Sequence, residues 1–96
     1  PAAAPAGGIL DAYCMQPPGR QQVLDIFRGE WSSAMPAGSG LQTQPGHAPL
    51  FEDDRVKWAV AQAGGVRGKR ILEIGPLEGG HSMMLEQAGA AEVVAV

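Results

Sequence analysis

Ile71-Leu72-Glu73-Ile74-Gly75-Pro76-Leu77-Glu78-Gly79-Gly80-His81-Ser82 decides how this 96-residue chain is read. An apolar, partly β-branched run carries one acid near its end, and a glycine-rich turn follows directly. The run predicts a strand over Ile71–Ile74. A helix-compatible stretch, His81 to Ala88, follows the turn and is closed by Gly89. A second apolar run, Val93-Val94-Ala95-Val96, predicts another strand. Strand, glycine loop, helix and strand make the opening of a nucleotide-binding βαβ unit. In such units the loop backbone and the helix N-terminus lie at the carboxyl end of the strand. Their unpaired N–H groups bind an anionic or polar ligand there.

The expected fold class is therefore α/β: the start of a Rossmann-like doubly wound parallel sheet, preceded by a helical N-terminal segment. A parallel sheet needs both faces covered, which one βαβ unit cannot do. An acid that would grip ribose hydroxyls belongs just after the second strand, where Val96 is the last residue. The chain thus reads as a piece of a longer protein cut inside its sheet. By itself it is expected to bind a cofactor weakly and to associate through bare strand edges.

Upstream of the deciding run, residues 1–8 contain only Ala, Pro and Gly and read as a disordered lead or linker. Residues 9–50 read as a helical segment and a Pro/Gly-rich loop. Within them Ile9 to Met15 suits a short helical turn stopped by Pro17-Pro18. Arg20 to Arg28 suits an amphipathic helix ended by Gly29, with Val23, Leu24, Phe27 and Trp31 on one side. Pro36, Gly38, Gly40, Pro45, Gly46 and Pro49 predict a long loop over 32–50, a length typical of binding segments and lids. Residues 51–96 read as the start of the cofactor domain. Phe51 to Ala63 predicts a helix with Val56, Ala59, Val60 and Ala63 in one apolar stripe. Glu52, Asp53 and Asp54 fall in its first turn, where the helix dipole favours acids. Phe51 is placed to staple onto Val56, and Gly64-Gly65 ends the helix. Arg67 to Arg70 forms a basic turn into the strand.

Composition excludes several classes. Net charge is −3 and charged residues make up 18% of the chain. Residues 1–48 carry three acids and two bases, and residues 49–96 seven acids and five bases. Neither half offers the basic footprint that nucleic acid or anionic membrane requires. No apolar run approaches the roughly 20 residues of a membrane helix. Residues 1–8 lack the basic start and apolar core of a signal peptide. One cysteine, Cys14, permits no internal disulfide and fits a reducing, cytoplasmic setting. With Cys14 and His47 unpartnered in the sequence, no metal site has the ligand count or spacing it needs.

Three loop chemistries compete for Gly75–Ser82. The dinucleotide fingerprint G-x-G-x-x-G needs a glycine where Leu77 stands. The phosphate-cradling loop G-x-x-x-x-G-K-[ST] is matched by Gly75, Gly80 and Ser82, but His81 occupies the lysine position. Glu73 and Glu78 would also bring carboxylates towards a polyanion, which is repulsive. An S-adenosylmethionine loop suits them better. That ligand is a sulfonium zwitterion with an ammonium, a carboxylate and a ribose. Carboxylates attract its cationic groups, and a helix N-terminus attracts its carboxylate.

Ile71 to Leu85, ILEIGPLEGGHSMML, resembles the first motif of the class I S-adenosylmethionine-dependent methyltransferases, E/D-x-G-x-G-x-G after the first strand. Glu73, Gly75 and Gly79 match three of its four fixed positions, and Leu77 replaces the middle glycine. The stretch Leu50-Phe-Glu-Asp-Asp-Arg-Val-Lys-Trp58 resembles the helix that leads into that strand, so the resemblance covers roughly residues 50–96. It implies methyl transfer from S-adenosylmethionine, with Glu73, Gly75, Pro76, Leu77, Glu78, Gly79, Gly80 and His81 around the cofactor. A side chain at Gly79 is expected to occupy space that the ligand or the tight turn requires. His81 is expected to cap its helix or to contact the ligand. The acceptor is expected to be a small molecule rather than nucleic acid, and no general base is legible. A phosphate-binding domain of the P-loop kind and a non-catalytic Rossmann-like domain stand as alternatives. Met83, Met84 and Leu85 read as core, and Trp31 and Trp58 as packing anchors.

Overall fold

The computed structural model describes Tyr13 and residues 15–96; the predicted lead over residues 1–8, the turn from Ile9 to Met15 and Cys14 lie outside these residues, apart from Tyr13 and Met15. It is a small α/β arrangement of helices with two short, parallel, two-stranded sheets. In chain order the elements are α1 (Arg20–Asp25), β1 (Trp31–Ser33), β2 (Pro45–Ala48), α2 (Asp54–Gln62), β3 (Arg70–Glu73), α3 (Gly80–Gln87) and β4 (Glu92–Ala95).

α1 starts where the Gln22 side chain reaches back to accept from the Gly19 N–H at 2.8 Å, one half of a capping box, since glycine has no side chain to return the bond. It ends at Asp25, earlier than the predicted Arg28, and the chain runs on through turns to Gly29, whose φ is +94°. Trp31 is therefore not on the helix. It opens β1, half-buried, and its indole N–H donates to the Leu24 carbonyl at 2.8 Å.

The predicted loop over 32–50 holds a sheet that the sequence did not announce. β1 and β2 pair in parallel, with Trp31 opposite Pro45, Ser33 opposite Ala48 and an irregularity between. Proline and glycine are poor strand residues, so external bonds must hold them. The Gln44 carbonyl accepts from both Gly29 and Trp31, and Ala34 N–H donates to Ala48 at 2.8 Å. Gln21 exchanges two bonds with the backbone of Gln42, which ties the loop back to α1. Glu52 accepts from the Ala37 N–H at 2.7 Å.

α2 begins at Asp54 because Asp53 is its N-cap: the Asp53 carboxylate accepts from the Arg55 N–H. Only Asp54 of the three predicted acids lies in the first turn. The stripe is half realised, with Val56 and Val60 half-buried and Ala59 and Ala63 exposed. Trp58 is 65% exposed, so it is not the packing anchor expected of it.

The βαβ unit forms as predicted, with both strands beginning one residue earlier. Arg70, Ile71, Leu72 and Glu73 lie opposite Glu92, Val93, Val94 and Ala95. The ladder runs on through Val96 N–H to Glu73 and Gly75 N–H to Val96. One face of this sheet, Ile71 and Val93, is half-buried on the helix side. The other bears Leu72, Ile74, Val94 and Val96 at 63%, 80%, 42% and 66% exposure. Met84 and Leu85 are half-buried, whereas Met83, at 41% exposure, is not core. Val66 is the one buried apolar side chain among the described residues. α3 meets the segment ahead of α2 where Gly80 is buried against the backbone of Leu50 and Phe51.

Candidate functional site

β3 delivers Glu73 to its carboxyl end, and the loop from Gly75 to Gly79 turns the chain into α3. The turn needs left-handed backbone at three positions: Gly75 at φ +75°, Leu77 at φ +50° and Gly79 at φ +85°. Glycine adopts this without penalty, whereas Leu77 does so under strain. A Cβ at Gly79 would meet no other part of the chain within 4 Å, yet at φ +85° a side chain there would strain the turn. What Gly79 supplies is the φ that lets α3 begin, as its N-cap. The first N–H groups of α3 lack intrahelical partners by helix geometry.

The eight predicted residues divide into three environments. Glu73, half-buried, accepts a hydrogen bond from the Ser82 hydroxyl at the start of α3. It lines a cleft of about 430 Å³ between α2, β3 and α3, together with Arg55, Val56, Ile71, His81 and Leu85. Such a volume is that of a small-molecule site. Gly75, Pro76, Leu77, Gly79 and Gly80 are not among the residues that line it.

Glu78 turns the other way. Its two carboxylate oxygens accept from consecutive backbone N–H groups of β1, Ser33 at 2.7 Å and Ser32 at 3.0 Å. Burial pushes this carboxyl up, but the bonds from Ser33 and Ser32 outweigh it and hold the group below the usual glutamate range. The glycine loop is thereby tied to a strand 45 residues earlier. Ser33 is fully buried, and its hydroxyl has no hydrogen-bond partner.

His81 neither caps its helix by a side-chain bond nor stands free. Its Nε2 lies 2.8 Å from Asp53 Oδ2. Asp53 is 7% exposed and takes a fork from Arg55, Nη2 to Oδ2 at 2.6 Å and Nε to Oδ1 at 3.0 Å. The hydrogen bonds from the Arg55 side chain and backbone, with that from His81, hold the Asp53 carboxyl far below its ordinary value. Against an ionised carboxylate, Nε2 carries the hydrogen, which fixes the ring's orientation at the cleft. The Asp53 N–H in turn donates to Met84 Sδ at 3.2 Å, so the cap of α2 is packed on α3.

The sequence reading placed Asp53 in a helix turn and missed its role as the hub between α2 and α3. The Asp53-Asp54-Arg55 run was a legible N-cap signal. Its partner His81 is 28 residues away and was not. Ser32 and Ser33 carried no signal.

Asp53 makes the fold acid-sensitive in a definite sense. Its folded pKa is lower than the unfolded value of roughly 3.9, so its stabilisation is full above that value and is lost as pH falls below it. Asp53→Asn keeps an N-cap but loses the charge that Arg55 and His81 meet, and its melting temperature is expected to drop by about 5 °C at pH 7. The gap to wild type should narrow on going to pH 3. A gap of constant size in melts across this range would refute the assignment.

Among the described residues no group of three or more His, Cys, Asp or Glu side chains lies together as a metal site. No helix among them is long and apolar enough to cross a membrane. No family model matches the chain, and neither a curated protein nor a solved structure matches it.

Proposed function

We propose that the chain is the start of a Rossmann-like, class I S-adenosylmethionine-dependent methyltransferase domain acting on a small-molecule acceptor in the cytoplasm. The observation that carries the reading is the parallel β3–loop–α3–β4 unit. It has Glu73 at the strand end, and glycines with left-handed backbone lead into the α3 N-terminus. The side chains present fit a ligand that bears both cationic and carboxylate groups. Glu73 offers negative charge, and the α3 N-terminus offers unpaired N–H groups. A phosphate-binding reading is less well supported. His81, in the lysine position, is engaged with Asp53, and two carboxylates flank the loop.

The bound donor would supply a methyl group activated by its positively charged sulfur. The chain's own part is to bind and orient. Glu73, held by Ser82, presents a fixed carboxylate at the strand end. Asp53 holds the imidazole of His81 at the cleft wall, and Arg55 on the same carboxylate keeps that support charged. Glu78, outside the cleft, ties residues 32 and 33 to the glycine loop and so fixes the loop's position.

Calorimetric titration of the full-length protein with S-adenosylhomocysteine and, separately, with Mg-ATP tests the reading. Binding of S-adenosylhomocysteine, weakened at least ten-fold by Glu73→Ala, is the expected result. The loss of a charged hydrogen bond is worth about that factor. Binding of Mg-ATP alone would overturn it for a phosphate-binding domain, and binding of neither for a non-catalytic one.

A further inference from the structure

We propose that the cavity between the end of α1, β1 and the glycine loop binds a small organic cation, an ammonium or sulfonium group. The cavity measures about 220 Å³ and is lined by Phe27, Glu30, Trp31 and Glu78. Two aromatic rings and two carboxylates compose the lining, with no basic side chain. Ring faces attract cations within about 6 Å through their quadrupole, and carboxylates supply the opposite charge. The same lining repels an anion.

Local structure fixes each of the four groups. The Glu30 N–H donates to the Phe27 carbonyl at 2.9 Å, so one turn sets the aromatic ring and the acid at its two ends. Trp31 has spent its indole N–H on Leu24, which leaves its π surface as what it can offer a ligand. Glu78 is fixed by Ser32 and Ser33 and stays ionised beside the cavity. The cavity falls below the roughly 300–1,000 Å³ of sites for drug-sized ligands, which suits a methylated ammonium or sulfonium head and is too little for a nucleotide.

The cation-binding claim stands on this lining alone. The source of the cation rests on the methyltransferase reading: it is either the sulfonium of the methyl donor or the amine of the acceptor. The probe is choline, set against its neutral tert-butyl isostere, in titrations of the full-length protein. Choline is expected to bind, and the isostere at least about ten-fold more weakly. Phe27 is 59% exposed and Glu30 is exposed as well. Phe27→Leu and Glu30→Gln should therefore melt as wild type does, yet each weaken choline about five-fold. Competition between choline and S-adenosylmethionine would assign the cavity to the donor's sulfonium, and simultaneous binding would assign it to the acceptor's amine. Equal affinity for choline and the isostere would overturn the proposal, as would unchanged choline affinity in both variants. Choline binding without S-adenosylhomocysteine binding would sink the methyltransferase reading and leave the cation site standing.

Discussion

Gly80→Ala is expected to destabilise the protein by about 2 kcal/mol or more, although alanine is the better helix former by up to about 1 kcal/mol. A Cβ at Gly80 would stand 2.7 Å from the Leu50 carbonyl carbon and 3.1 Å from the Phe51 nitrogen. It would press directly on the Leu50 oxygen. These are backbone atoms just ahead of the Asp53 cap, so the clash cannot be relieved by turning a side chain. Either α3 moves or the 50–53 segment does. Both routes pull His81 away from Asp53 and Met84 away from the Asp53 N–H. The expected drop in melting temperature is about 8 °C or more for a domain of this size. On the methyltransferase proposal, S-adenosylhomocysteine affinity should fall with it, because the α3 N-terminus is displaced. A variant that melts at or above the wild-type temperature would show that propensity outweighs the contact and that the two backbones do not meet.

Glu78→Ala is expected to release the N-terminal segment from the glycine loop. The substitution leaves two adjacent N–H groups without their acceptor, and Ser33, being fully buried, cannot turn to water instead. Hydrogen bonds to a charged group contribute about 1.5–3 kcal/mol, and a stranded buried donor adds its own cost. Opening of β1 should become easier by about 2.7 kcal/mol, and amide exchange at Ser33 faster by about 100-fold. Because the folded Glu78 carboxyl titrates below its ordinary range, the wild-type clamp is complete at neutral pH. It is lost only as pH falls through that lowered value. The variant should lack this pH dependence at Ser33. Exchange at the wild-type rate would mean that β2 and the Gln44 carbonyl hold β1 unaided.

Where local chemistry agrees with the fold, residues could be read from the chain. Ile71, Leu72 and Val93 declare strands by their side chains, Gly75 and Gly79 declare the turn, and Val56 and Val60 declare a helix, although it starts at Asp54 and not at the expected Phe51. Boundaries moved where pairing decided them. Arg70 joins β3 because Glu92 lies opposite, with its carboxylate 2.7 Å from the guanidinium, while Ile74 falls outside the strand at 80% exposure. Met83 reads as core and Trp58 as a packing anchor because both are apolar. Whether a surface covers such a side chain is a tertiary fact, and Trp58 at 65% and Met83 at 41% exposure are left open to solvent.

What the sequence determined by itself was the order β3, glycine loop, α3, β4 and the acid at the strand end. Each of these depends on residues within a few positions of one another. Only the tertiary structure decided that Pro45 and Gly46, poor strand formers, would pair with Trp31 to Ser33. It also directed Glu78 to two amides 45 and 46 residues away, and brought His81 to Asp53 across 28. The physical reason is one of range. Propensity and periodicity act along a few turns of chain, whereas a carboxylate accepts from whatever donor the packing brings within about 3 Å of it.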